Sequence, residues 1–79
     1  MQRWFFMFLS ELGEKQEAKI AKNSFSGDFS RRLRDMGFAE GEKVLCVRKS
    51  VFSSPIIYRI KGSNIALRKK DAQRIEVIF

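Results

Sequence analysis

The side chains able to do covalent or metal chemistry are few. Cys46 is the lone thiol, and with no histidine in the chain it has no imidazole to activate it. One cysteine and no histidine also rule out a closed structural zinc site built from one copy of the chain. There is no glycine-rich phosphate loop, no nucleophile set beside a base and no ligand set suited to iron. Carboxylate sites for magnesium or calcium stay formally open, and Glu40-Gly41-Glu42 reads as a solvated turn rather than as one of them. What the composition does offer is positive charge. Sixteen Lys and Arg against nine Asp and Glu leave a net charge of +7, which favours an anionic partner. The sequence therefore predicts a binding module with no catalytic residues, no metal ligands and no cofactor.

The cations cluster around Asp28 to Gly41, DFSRRLRDMGFAEG. Phe29, Leu33 and Met36 fall at i, i+4 and i+7 and share one helical face, while Arg31, Arg32 and Arg34 point elsewhere. Asp28 or Ser30 is the expected N-terminal cap, and Gly37 suits the left-handed position just past the C-terminus. That placement makes Leu33 and Phe38 the two apolar partners of a Schellman cap, and Gly41 supplies a second reversal. The candidate docking surface is Arg31 and Arg34 on the polar side of this helix, together with outward Arg59 and the Arg68-Lys69 turn.

The elements that must position this helix are short strands. With 79 residues the chain is one domain with a small core. Met1 to Leu9, MQRWFFMFL, is the most apolar stretch, too short to span a bilayer and without a signal-peptide cleavage site. It reads as a buried strand or plug, or else as a docking or self-association segment carrying Trp4 and Phe5. Ser10 to Gln16 is a turn in which Ser10 caps and Leu9 and Leu12 point inward. Glu17 to Lys22 alternates, with Ala18 and Ile20 on one face and Glu17, Lys19 and Ala21 on the other. Asn23 to Gly27 is a loop, and Phe25, four residues before Phe29, extends the apolar side of the helix.

Glu42 to Lys49 carries apolar residues on both faces, Val44 and Cys46 against Leu45 and Val47, as a central strand would; Cys46 is a small core residue there. Ser50 to Pro55 is a loop whose proline sets the entry to Ile56 to Lys61, with Ile56, Tyr58 and Ile60 inward. Gly62-Ser63 is expected to turn a hairpin into Asn64 to Arg68, with Ile65 and Leu67 inward. Lys69 to Arg74 forms one helical turn, and Ile75 and Val77 face in from the last strand while Glu76 faces out. The result is a mainly β fold, a small barrel of about five strands with one short inserted α-helix, since closure removes exposed strand edges.

From Leu9 to Val77 the order of elements and many residues resemble the FeoA family of small bacterial proteins that accompany the ferrous iron transporter FeoB. The matching pieces are Leu9-Ser10-Glu11-Leu12, Ala18-Lys19-Ile20, and Arg31 to Phe38 with Gly41 and Val44. They continue with Pro55, Gly62, Ile65-Ala66-Leu67-Arg68, Asp71-Ala72 and Ile75-Glu76-Val77. Two departures stand out: where the family commonly has Pro-Gly in the first turn and after the helix, this chain has Glu14-Lys15 and Glu40-Gly41. Another lies before Pro55, where Ser53-Ser54 replaces the usual glycine. The resemblance implies an SH3-like barrel over residues 9–79 preceded by an aromatic extension, 1–8. It implies a cytoplasmic accessory protein that docks on the FeoB GTPase domain and supports iron uptake. The readings from another class are a small basic barrel that binds nucleic acid and a detached repressor-type C-terminal barrel. Against nucleic acid, Tyr58 is expected to face inward and the strands lack exposed paired aromatics for base stacking.

Overall fold

A computed structural model describes residues 6–21, 27–49 and 55–78. Six strands form one antiparallel sheet: β1 (Phe6–Phe8), β2 (Glu17–Ile20), β3 (Lys43–Arg48), β4 (Ile56–Ile60), β5 (Ser63–Leu67) and β6 (Glu76–Ile78). Their order across the sheet is β1-β6-β2-β3-β4-β5, so β3 sits inside the sheet, as its two apolar faces require. A 3₁₀ turn at Leu9–Glu11 follows β1. The main helix, α1 (Asp28–Asp35), lies between β2 and β3, and a single helical turn, α2 (Lys69–Ala72), leads into β6. The strand beyond the expected five is β1, which pairs with β6 through Phe6↔Ile78 and Phe8↔Glu76. Because β1 and β5 do not pair with each other, the barrel keeps, among the described residues, an open seam with a strand edge on either side.

The core is built by alternation. Ala18 and Ile20 from β2, Val44 and Cys46 from β3, and Ile56, Tyr58 and Ile60 from β4 are all buried. Leu67, Ala72, Ile75 and Val77 complete it, with Leu9 and Leu12 closing one end and Leu33 and Phe38 coming from the helical segment. Across the core the Tyr58 hydroxyl donates to the Leu9 carbonyl at 3.0 Å, and the Leu9 amide donates to the Ile75 carbonyl at 2.7 Å. The first bond ties the turn after β1 to β4, and the second continues the β1–β6 pairing by one residue.

Several local expectations are corrected. Ser10 does not cap the first turn; it lies inside it, and the Glu11 carboxylate accepts from the Phe8 amide at 3.0 Å instead. Neither Asp28 nor Ser30 occupies the N-cap of α1: that position is Gly27, because the helix begins at Asp28 and Ser30 is drawn into the interior. Ala21 is buried rather than outward, since β2 ends at Ile20 and its alternation no longer applies. The β4–β5 turn is Lys61-Gly62, one residue earlier than expected, flanked by the pair Ile60↔Ser63. Both turn residues have positive φ, 51° and 79°, as a type I′ hairpin needs to match the strand twist. Phe25 and Ser53-Ser54 fall outside the described residues.

The two turns that depart from Pro-Gly share one backbone shape. Gly13-Glu14-Lys15-Gln16 closes through the Gln16 amide to the Gly13 carbonyl at 3.0 Å, and Ala39-Glu40-Gly41-Glu42 through the Glu42 amide to the Ala39 carbonyl at 3.1 Å. Each then clips the other's strand: the Lys15 amide donates to the Cys46 carbonyl, and the Gly41 amide to the Ile20 carbonyl. The third residue of each is left-handed, Gly41 at φ 85° and Lys15 at φ 68°. Glycine adopts that conformation without cost, whereas a side chain with a Cβ costs about 1–2 kcal/mol.

Lys15→Gly is therefore expected to stabilise the fold by about 0.5–1 kcal/mol after the extra unfolded-state entropy of glycine is deducted, raising Tm by roughly 2–8 °C in a thermal melt. Tyr58→Phe is expected to lower stability by about 1 kcal/mol in urea denaturation, the worth of one buried hydrogen bond. The cost stays near that value because the Leu9 carbonyl also accepts from the Leu12 amide at 3.1 Å.

Candidate functional site

Helix α1 ends as its sequence demands. The Phe38 amide donates to the Leu33 carbonyl at 2.8 Å and the Gly37 amide to the Arg34 carbonyl at 3.0 Å, the paired bonds of a Schellman motif. Gly37 has φ 103°, and a Cβ there would sit 3.4 Å from Cγ2 of Ile60 and 3.8 Å from Cδ of Lys61. The helix C-terminus thus rests against the β4–β5 hairpin. At the other end, the Arg74 guanidinium lies 3.9 Å above the Phe29 ring, so the N-terminus sits beside the segment that follows α2. Since β5 runs from the hairpin to α2, α1 must lie alongside β5 and antiparallel to it.

Between them is an open groove of about 460 Å³. Phe29, Leu33 and Met36 from α1 and Ala66 and Leu67 from β5 make its apolar lining, with Arg32 and Arg68 among its polar walls. Asp35 and Asp71 also reach it. Toward α2 it continues into a polar recess with Asp28, Lys70 and Arg74. Arg68 donates to Asp71 at 3.3 Å across one turn, an exposed pair of small energetic weight.

Met36, expected on the packed face, is 38% exposed. It occupies the C-cap, past the last helical turn, where no strand side chain covers it, and it lines the groove instead. Of the basic residues singled out from sequence, Arg68 reaches the groove and Arg31, Arg34, Arg59 and Lys69 are exposed without lining it. Arg59 donates through Nε to Oδ1 of its cross-strand neighbour Asn64 at 2.9 Å. Trp4 and Phe5 lie outside the described residues. Arg32, Met36, Lys70, Arg74 and Ala66 were not among the expected partner-binding residues. For Arg32 a signal existed: it is three residues from Phe29 and so flanks the apolar stripe. Arg74 had none, because only the fold brings it to Phe29.

Cys46 is fully buried on β3, and burial pushes its thiol above the ordinary range, with Lys49 opposing that rise and Glu14 adding to it. Tyr58, its cross-strand neighbour, is pushed well above the usual phenol range, again chiefly by burial. Neither group is poised for chemistry near neutral pH. Among the described residues no three Cys, Asp or Glu side chains gather as a metal site, and no helix is long and apolar enough to cross a membrane.

A six-stranded antiparallel sheet curled around one core, with helix α1 laid along its open seam, defines a small SH3-like domain. The FeoA domain model matches residues 7–78, and the chain belongs to that family. It is 38% identical over 71 residues to an Fe(2+) transport protein A/Fe(2+) transporter FeoB fusion protein of Porphyromonas gingivalis. That match covers 90% of this chain but spans only 8% of the relative's length. Among solved structures, iron(II) transport protein A from Clostridium thermocellum is 38% identical with a TM-score of 0.84, over 90% of this chain and 44% of that one. Stenotrophomonas maltophilia FeoA, crystallised with zinc and described as a prokaryotic SH3 domain protein, is 35% identical with a TM-score of 0.75, over 90% and 88% of the two chains.

The raised thiol pKa has a consequence for stability. In the unfolded chain Cys46 ionises from about pH 8.5 upward, while the folded chain keeps its proton, so the unfolded state binds fewer protons and is favoured as pH rises. Stability is expected to be full below that pH and to fall above it, over the range where only the unfolded thiol ionises, by up to about 1.4 kcal/mol per unit. Urea midpoints across that range should decline for the wild type and flatten for Cys46→Ala.

Proposed function

We propose that the chain is a non-enzymatic accessory module of bacterial ferrous iron transport, which acts in the cytoplasm by docking on the GTPase part of a FeoB-type transporter. The observation that carries this reading is the relative in which the matching segment and an FeoB transporter form one polypeptide. Fusion gives two partners an effective concentration that can reach the millimolar range, which is of use when the separate modules must meet. The net charge of +7 and the exposed guanidiniums support an electrostatic component to that meeting. The family membership, with no buried nucleophile–base pair among the described residues, supports a role in assembly or regulation rather than in chemistry.

Arg31 and Arg34 are exposed and outside the core, so reversing both charges changes stability little. Titration of the isolated GTPase domain of the FeoB-type partner by calorimetry is expected to give binding that the Arg31→Glu, Arg34→Glu double variant weakens about tenfold, mainly through slower association. No heat with the wild type at micromolar concentrations would overturn docking. Equal affinity for the double variant would move the contact away from this face of α1.

A further inference from the structure

We propose, resting on the docking reading above, that the groove between α1 and β5 takes an extended segment of the partner, which adds as a strand to the β5 edge. The hairpin sets which backbone groups are free for this. Ile60 and Ser63 flank a two-residue turn and so exchange both hydrogen bonds. Counting outward along the register, Tyr58↔Ile65 and Ile56↔Leu67 are also bonded pairs, whereas Arg59↔Asn64 and Ile57↔Ala66 are not. The amide and carbonyl of Asn64 and of Ala66 therefore point away from β4, across the open seam. Among the described residues no backbone bond from α1 or any other element takes up these four groups.

The composition of β5 agrees. Edge strands are commonly guarded against pairing by charges, proline or a bulge, and Ser63-Asn64-Ile65-Ala66-Leu67 has no charge and no proline and pairs with β4 in unbroken register. Instead a helix lies alongside and leaves a channel. Helix α1 is ~12 Å long and β5 ~17 Å, so three or four extended residues fit between them. Ala66 and Leu67 point to opposite faces of the strand yet both line the groove, which places its path over the strand edge rather than over one face.

The lining states what the segment must look like. Alternate apolar side chains meet Phe29, Leu33, Met36 and Leu67. At the α2 end Arg32 and Lys70 make no ion pair among the described residues, and Arg74 is engaged with Phe29 but carries no acidic partner, so an aspartate or glutamate belongs there. Addition of an extended peptide to an exposed sheet edge is a recurrent mode of recognition, in which main-chain bonds supply affinity and pockets for alternate side chains supply specificity.

The probe is the isolated GTPase domain of the FeoB-type partner, added to the full chain labelled for NMR. Exchange of the Asn64 and Ala66 amides with solvent is expected to slow at least tenfold on binding. Ala66→Pro is the decisive variant, because proline at an outward-facing edge position leaves the β4–β5 bonds intact but removes a donor that the added strand needs. It should weaken binding at least tenfold, and Ala66→Val by no more than twofold. Binding with unchanged exchange at Asn64 and Ala66, or with protection at β1 instead, overturns the strand-addition inference while leaving docking in place. Absence of any binding overturns both. Should Ala66→Pro not fold, the exchange experiment on the wild type decides alone.

Discussion

The geometry of this domain depends on how α1 stops. The bond from the Phe38 amide to the Leu33 carbonyl, with Gly37 left-handed between them, reverses the chain within two residues and delivers Phe38 into the core beside β4. Leu33 and Phe38 are both buried, so the motif that satisfies the last helical carbonyls also anchors the helix at one end. Without that reversal the chain could not enter the Gly41 turn and β3 from where it does. The Phe29–Arg74 stack holds the other end more weakly, at a site open to solvent. Phe29 also packs against the core and Ser30 is buried, so both ends of the helix are held while a groove remains between it and β5.

A small core has to draw on devices other than apolar burial. Here they are backbone clips: each of the turns around Lys15 and Gly41 donates an amide into the opposite strand of the β2–β3 pair. Together with the Tyr58–Leu9 bond they tie the first turn and strands β2, β3 and β4 into one body. Two lysines, Lys15 and Lys61, hold left-handed positions that glycine or asparagine would occupy with less strain. The sheet contacts around them over-determine the local conformation, so the fold tolerates that cost.

Two strand edges border the seam among the described residues. β1 is three residues long and exposes Phe6 and Phe8, at 67% and 44%, while β5 has an uncharged edge. Neither strand reaches the other, and α1 stands beside β5 without forming a ladder with it. Backbone bonding capacity is therefore left unfilled at the β5 edge among the described residues.

Much of this was readable from residue order. Alternation placed Ala18, Ile20, Val44, Cys46, Ile56, Tyr58, Ile60, Leu67 and Val77 in the core, because side chains on a strand alternate faces whatever the tertiary context. The Leu33–Gly37–Phe38 cap was equally local, set by the absence of a Cβ at one position. The resemblance of ordered short motifs pointed to the FeoA family. Other features depend on where elements meet. The N-cap of α1 fell on Gly27 rather than Asp28 or Ser30, and the hairpin turned one residue early, at Lys61-Gly62, since register against β4 outweighed the preference for glycine first. Met36 shared a helical face with Leu33 but found no strand to cover it. The groove itself, with Arg32, Ala66 and Arg74 on its borders, joins three segments distant in sequence. Periodicity assigns a residue to a face of its own element. Only the packed fold determines which other element that face meets, and so which edge is left free for a partner.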